Sequence, residues 1–146
     1  MNDQLPLMMR EYVEGLKTRD IKRIAPSLAD ELRVVLSARS LNKQQFLDYL
    51  TALYQAFPDW TYEHGEPQVS EDGSITIRWR QVGTHTAPWL LPGSLPTPAT
   101  GKVIRIPWQR FTYKVDSSRI IEIRPEPIQG GVPEAIFDHV GTSDML

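Results

Sequence analysis

Residues 41–86 read LNKQQFLDYLTALYQAFPDWTYEHGEPQVSEDGSITIRWRQVGTHT, and within them the hydrophobic period changes once. Phe46, Leu50, Leu53, Tyr54 and Phe57 recur at three- and four-residue steps, while Lys43, Gln44, Asp48 and Gln55 fall off that face. This spacing predicts a helix over 41–57, with Ser40 as its N-cap and Pro58 as its stop. Beyond Pro58 the period becomes two. Trp60 to Ser70 reads as a strand, Glu71-Asp72-Gly73-Ser74 as a turn, and Ile75 to about His85 as a second strand. On that strand Ile75, Ile77, Trp79, Gln81, Gly83 and His85 share one face. Thr76, Arg78, Arg80, Val82 and Thr84 share the other.

Upstream, Leu5, Met8, Met9, Tyr12, Val13 and Leu16 predict a helix over 3–19, capped by Asn2 or Asp3, with Pro6 in its first turn. Asp20 starts a short second helix with Ile21, Ile24 and Leu28 inward, and Pro26 shortens it. Residues 31–37, ELRVVLS, read as a first strand. Downstream, 87–101 is a loop holding Pro88, Pro92, Pro96 and Pro98, and it also carries Trp89, Leu90 and Leu91. Loops of this length in compact domains are usually lids or binding loops. Strands follow at 102–115 and 119–124, and Pro133 opens a last short helix that ends at Gly141. Helices first and strands later predict an α+β fold, with a strongly curved antiparallel sheet wrapped around helices and an internal conical pocket.

The 146 residues are expected to form a single domain, residues 1–146. Hydrophobic residues make up 40% and charged residues 23%, with a formal charge of −2. That balance does not announce a nucleic-acid or membrane partner. There are no cysteines, so disulfides, cysteine metal sites and cysteine nucleophiles are excluded. No apolar run approaches the ~20 residues of a membrane span. The start lacks a basic region followed by an apolar core, so a cytoplasmic protein is expected. Phosphate-loop, dinucleotide-binding and nucleophile-elbow motifs are absent. No cofactor and no metal are expected. Charge is segregated: residues 44–77 hold six acidic side chains and no basic ones, whereas 78–124 hold eight basic against two acidic. Opposite signs on neighbouring strands favour pairing.

Three residues carry candidate acid–base chemistry. His85 lies at a strand end beside the proline-rich loop, and imidazole titrates near cellular pH. Tyr12 could stabilise a developing enolate, since a phenol in an apolar pocket is a competent oxyanion donor. Glu126 becomes a base if an apolar pocket raises its pKa. Arg124 shares the strand parity of Glu122 and Glu126. Trp60, Trp79, Trp89 and Trp108, with Tyr54 of the long helix, are candidate walls for a flat apolar ligand.

Three stretches together resemble SnoaL-like polyketide cyclases of the nuclear transport factor 2-like superfamily. They are Tyr12 to Asp20 followed by Leu28-Ala29-Asp30; Phe57-Pro58-Asp59-Trp60 with Trp79 through Gly83-Thr84-His85-Thr86; and Gly101-Lys102-Val103 with Phe111 to Val115 and Ile120-Ile121-Glu122. The resemblance implies a cone-shaped fold and sheet-to-sheet homodimers. Tyr12 matches the first-helix tyrosine that hydrogen-bonds the enolate oxygen in the related ketosteroid isomerase. That enzyme's general-base aspartate would fall near Leu36, where no carboxylate stands. Glu126 is the nearest carboxylate to the cyclases' aspartate beyond the last strand. The expected function is cofactor-free cyclisation, isomerisation or dehydration of a small apolar or polycyclic carbonyl compound. The alternative is a non-catalytic binding or dimerisation domain of the same fold.

Overall fold

A computed structural model describes residues 5–141. The helices are α1 (Leu7–Thr18), α2 (Ile21–Ile24), α3 (Lys43–Ala56) and α4 (Glu134–Val140). The strands are β1 (Leu28–Val35), β2 (Ser40–Leu41), β3 (Thr61–His64), β4 (Gln68–Val69), β5 (Ile75–Thr84), β6 (Val103–Val115) and β7 (Ile120–Pro125). They form one mixed sheet in the order β2-β1-β7-β6-β5-β3, with β4 added to β5. The fold is α+β, with the helices packed into a curved open sheet, as expected from the sequence.

Several boundaries differ from that expectation. The first helix begins at Leu7 with Pro6 at its N-cap position; Asn2 and Asp3 lie outside the described residues. The cap of α3 is Asn42, not Ser40. Its side chain accepts from Gln45 N while the Gln45 side chain accepts from Asn42 N, a reciprocal arrangement that satisfies two orphan donors. Ser40 belongs instead to β2. The run 60–70 breaks at Gly65, Glu66 and Pro67 into β3 and β4, because Pro67 has no N–H to give the ladder. Leu28 is the first residue of β1, which pairs parallel with β7, so the amino-terminal strand enters the middle of the sheet.

The expected inner face of β5 is buried at every position from Ile75 through His85. A register shift between β5 and β6 at Trp79/Gln81 reshapes the neighbouring strand. Ile106 and Gln109 both point inward, leaving Pro107 and Trp108 together on the outside. Trp108 is therefore not a wall of the interior: it is 38% exposed on the outer sheet face, with Arg78 and Arg80 each 5.1 Å from its ring. Bulges commonly re-aim side chains this way. Among the described residues no helix is long and apolar enough to cross a membrane.

Candidate functional site

Between the inner sheet face and helices α1 and α3 lies a cleft. Tyr12 and Leu16 come from α1, and Phe46, Tyr49 and Leu50 from α3. Tyr62, Trp79, Gln81, Phe111 and Tyr113 come from the sheet, and Val132 from the segment before α4. Helical spacing places Tyr12 and Leu16 one turn apart on one face. Strand alternation places Trp79 and Gln81 on one side of β5.

The polar atoms of this cleft form a short chain. Trp79 Nε1 donates to the Tyr113 hydroxyl at 2.9 Å, and that hydroxyl adjoins the hydroxyl of Tyr12. The two phenol rings meet edge to face with centroids 5.5 Å apart. Burial pushes both phenols above their ordinary value of 10, because an ionised oxygen would be poorly solvated there. Tyr62 and Tyr54 share a hydroxyl contact of 2.7 Å and are raised by the same cause. These are neutral hydrogen-bonding groups at any cellular pH. Among the described residues the cleft lining contains no carboxylate and no imidazole.

The other candidates are placed around this cleft rather than in it. Trp60 is fully buried behind it, and its Nε1 donates to Gln81 Oε1 at 3.0 Å, which orients the Gln81 amide. Tyr54 stands behind Tyr62. Trp89, within the proline-rich loop, is buried edge-on to Tyr49 at 6.3 Å, and its Nε1 has no partner among the described residues. Glu126 lies off the cleft lining and turns back on β6. It accepts from Arg110 N at 3.2 Å and lies 4.0 Å from the Arg110 guanidinium. Arg124 is exposed and pairs with Glu122 at 3.4 Å. The fold thus brings Tyr12 and Trp79 together at the cleft. It separates them from Glu126, Arg124 and Trp108.

His85 is fully buried, but beyond the far end of β5 from Trp79's neighbours. Its ring stacks on Phe57 with centroids 5.0 Å apart. Its Nδ1 faces His139 Nε2 at 3.0 Å and Thr100 Oγ1 at 3.2 Å. Burial lowers both imidazoles below their ordinary 6.5, and for His139 the charges of His85 and Lys102 add to that.

Sequence reasoning missed Tyr113, Tyr62, Tyr49 and Gln81 as cleft residues. Gln81 carried a signal, being the one amide on a strand face that is apolar but for it and His85. Tyr113 carried none that could be read without the β5–β6 register. Gln109 was missed too. Fully buried, it donates to the carbonyls of Glu126 and Val132 at 2.8 and 3.1 Å and accepts from Val132 N at 2.9 Å. It thereby holds the segment that closes the cleft. A wider surface groove is lined by Pro6, Leu7, Met8, Glu11 and Arg23.

Comparison with known proteins agrees with this architecture. AclR of Streptomyces galilaeus, a proposed hydroxylase, superposes with a TM-score of 0.69 at 13% identity over 92% of each chain. A proposed SnoaL-like polyketide cyclase from Jannaschia sp. CCS1 gives 0.63 at 16% identity, covering 83% of this chain and 85% of that one. A nuclear transport factor 2-like protein of unknown function from Exiguobacterium gives 0.61 at 16%, covering 83% and 99%. At such identities the likeness establishes the fold. No curated protein matches the sequence. The profile of the SnoaL-like domain matches residues 9–123, most of the chain and all of the sheet but the last two residues of β7, and the chain therefore belongs to the SnoaL-like family.

Proposed function

We propose that this protein binds a compact, apolar molecule bearing an oxygen acceptor, such as a ketone or phenol, in the cleft beside Tyr12. The observation that carries the reading is the character of the lining. Apolar and aromatic walls surround a few convergent neutral donors, which is how small-molecule sites fix orientation. A base able to remove a proton must reach the reacting atom within about 2.6–3.2 Å or through one water. His85 and Glu126, the expected bases, lie off this lining, so recognition is favoured over acid–base turnover. Tyr12 and Tyr113 would hold the ligand oxygen, and Trp79 and Tyr62 its carbon skeleton.

The cleft volume is about 40 Å³. That is room for three or four waters at roughly 10–15 Å³ each, whereas pockets for drug-sized ligands measure about 300–1,000 Å³. Binding on this reading requires the cover formed by Val132 and α4 to move. The same small volume favours a second reading, an association domain with a sealed interior. We place its homodimer contact on the outer sheet face, where Trp108 and Val103, 49% exposed, stand among arginines.

A thermal-shift screen of flat ketones and phenols, run on the wild type and on Tyr12→Phe, tests the first reading. A ligand at a hundred times its Kd adds about 2.7 kcal/mol of stability. A shift in the wild type that shrinks in Tyr12→Phe is the expected result. No shift from any compound, with Trp108→Glu converting a dimer to a monomer by light scattering, would replace the first reading with the second.

A further inference from the structure

The end of β5 carries a polar cluster that the binding role leaves unused. His85 Nδ1, His139 Nε2 and Thr100 Oγ1 form a triangle with sides of 3.0, 3.1 and 3.2 Å. Its corners come from three segments distant in sequence: the end of β5, the loop 87–101 and helix α4. A second contact runs in parallel, Thr97 Oγ1 donating to the Val140 carbonyl at 3.0 Å. Helix α4 has only seven residues, so these ties are a large part of what anchors it beyond its apolar face.

Two ring nitrogens 3.0 Å apart require one N–H and one lone pair. A neutral pair satisfies this. A doubly protonated pair sets N–H against N–H and places two positive charges side by side. His85, fully buried against Phe57, has no solvent-facing surface through which to hydrate that charge. Lys102 opposes a proton on His139, whereas the Ala87 carbonyl favours one on His85. The carboxylates of α4 itself, Glu134 and Asp138, do not offset the lowering of either ring.

We propose that His85 and His139 form a pH-sensitive clasp, closed at neutral pH, that holds α4 and the proline-rich loop against the body and releases them on acidification. The released parts cover the cleft. Phe137 of α4 packs edge-on against Tyr49, a cleft wall, at 5.6 Å, and Trp89 of the loop packs on the same ring. That release also opens the cleft rests on the binding reading above; the release itself does not. Both rings bind protons less readily when clasped than when free. The clasp's contribution is therefore complete above the ordinary imidazole value of 6.5 and is lost as pH falls below it.

The test is amide hydrogen exchange, corrected for intrinsic rates, at pH 7.5 and pH 5, on the wild type, His139→Gln and Thr100→Val. In the wild type α4 and residues 87–101 should exchange about tenfold faster relative to α3 at the lower pH. A glutamine amide cannot gain a proton in this range, so His139→Gln should reduce the change of that ratio with pH to the part His85 alone supplies, while staying folded. Thr100→Val should loosen α4 at both pH values and keep the pH dependence. An α4-to-α3 ratio unchanged by pH, a His139→Gln ratio as pH-dependent as the wild type, or an NMR titration midpoint above 6.5 for either ring would overturn the clasp. A 2-naphthol binding measurement on the same samples separates the two claims. Acid-accelerated exchange of α4 with no naphthol binding at either pH sustains the clasp and removes the binding role.

Discussion

Along β5 the molecule buries two polar clusters with opposite chemistry. Near the strand's middle, Trp79 reaches Tyr113 and Tyr12; just past its end, His85 reaches His139 and Thr100. Desolvation acts on both. It raises the phenols, because their charged form is the deprotonated one, and lowers the imidazoles, because theirs is the protonated one. One physical cause thus keeps the first cluster neutral across cellular pH and makes the second a contact that weakens on acidification below 6.5. A binding site gains from constancy, and a closure gains from sensitivity.

The comparison is broken most directly at Trp79. Trp79→Ala removes a fully buried indole and the donor to Tyr113. It should cost about 3–5 kcal/mol in urea denaturation, the range for large aromatic truncations, and leave the His85–His139 contact as the surviving feature by NMR. Gly83 sits between the two clusters. A Cβ there would stand 2.5 Å from Trp60 Cε3 and 3.2 Å from Trp60 Cα. Gly83→Ala should therefore destabilise by about 1–3 kcal/mol through overpacking, read as a lower urea midpoint at unchanged slope.

Two finer predictions sharpen the contrast. Tyr113→Phe leaves the Trp79 N–H without its acceptor and should cost about 1–3 kcal/mol. It should also make the alkaline limb shallower, the other buried phenols keeping the rest. The raised phenols contribute stability that is complete below pH 10 and lost as pH rises above it, so stability should be level from pH 7 to 9 and fall beyond 10. The acidic limb should remain in that variant, since the imidazoles are untouched. At the small end, Arg124→Ala should change stability by no more than about 0.5 kcal/mol, its carboxylate contact being solvent-exposed. It should leave any ligand-induced thermal shift unchanged, whereas Tyr12→Phe should reduce it.

Much of this fold was legible from local pattern. The face of β5 from Ile75 to His85, the helix ending before Pro58, the shortening of α2 at Pro26 and the Gly141 cap each follow from a period or a backbone constraint that acts within a few residues. The candidate site was legible only in part. Tyr12 and Trp79 are readable because helix and strand periodicities put them on inward faces. Trp108 is not, because a one-residue irregularity in the β5–β6 ladder inverts parity and no local pattern announces it.

By itself, then, the sequence determined the element types, the turn positions, the inner face of β5 and, through its ordered motifs, the family. Those are consequences of short-range sterics and of periodic hydrophobicity. Tertiary structure alone decided the parallel docking of β1 on β7, the pairing of Tyr12 with Tyr113 and the meeting of His85 with His139, 54 residues apart. Such contacts depend on register and on helix placement, which are set by how the whole core packs. Side chains that are ordinary where they stand in the chain become a donor pair or a titrating pair only once that packing brings them within hydrogen-bonding distance.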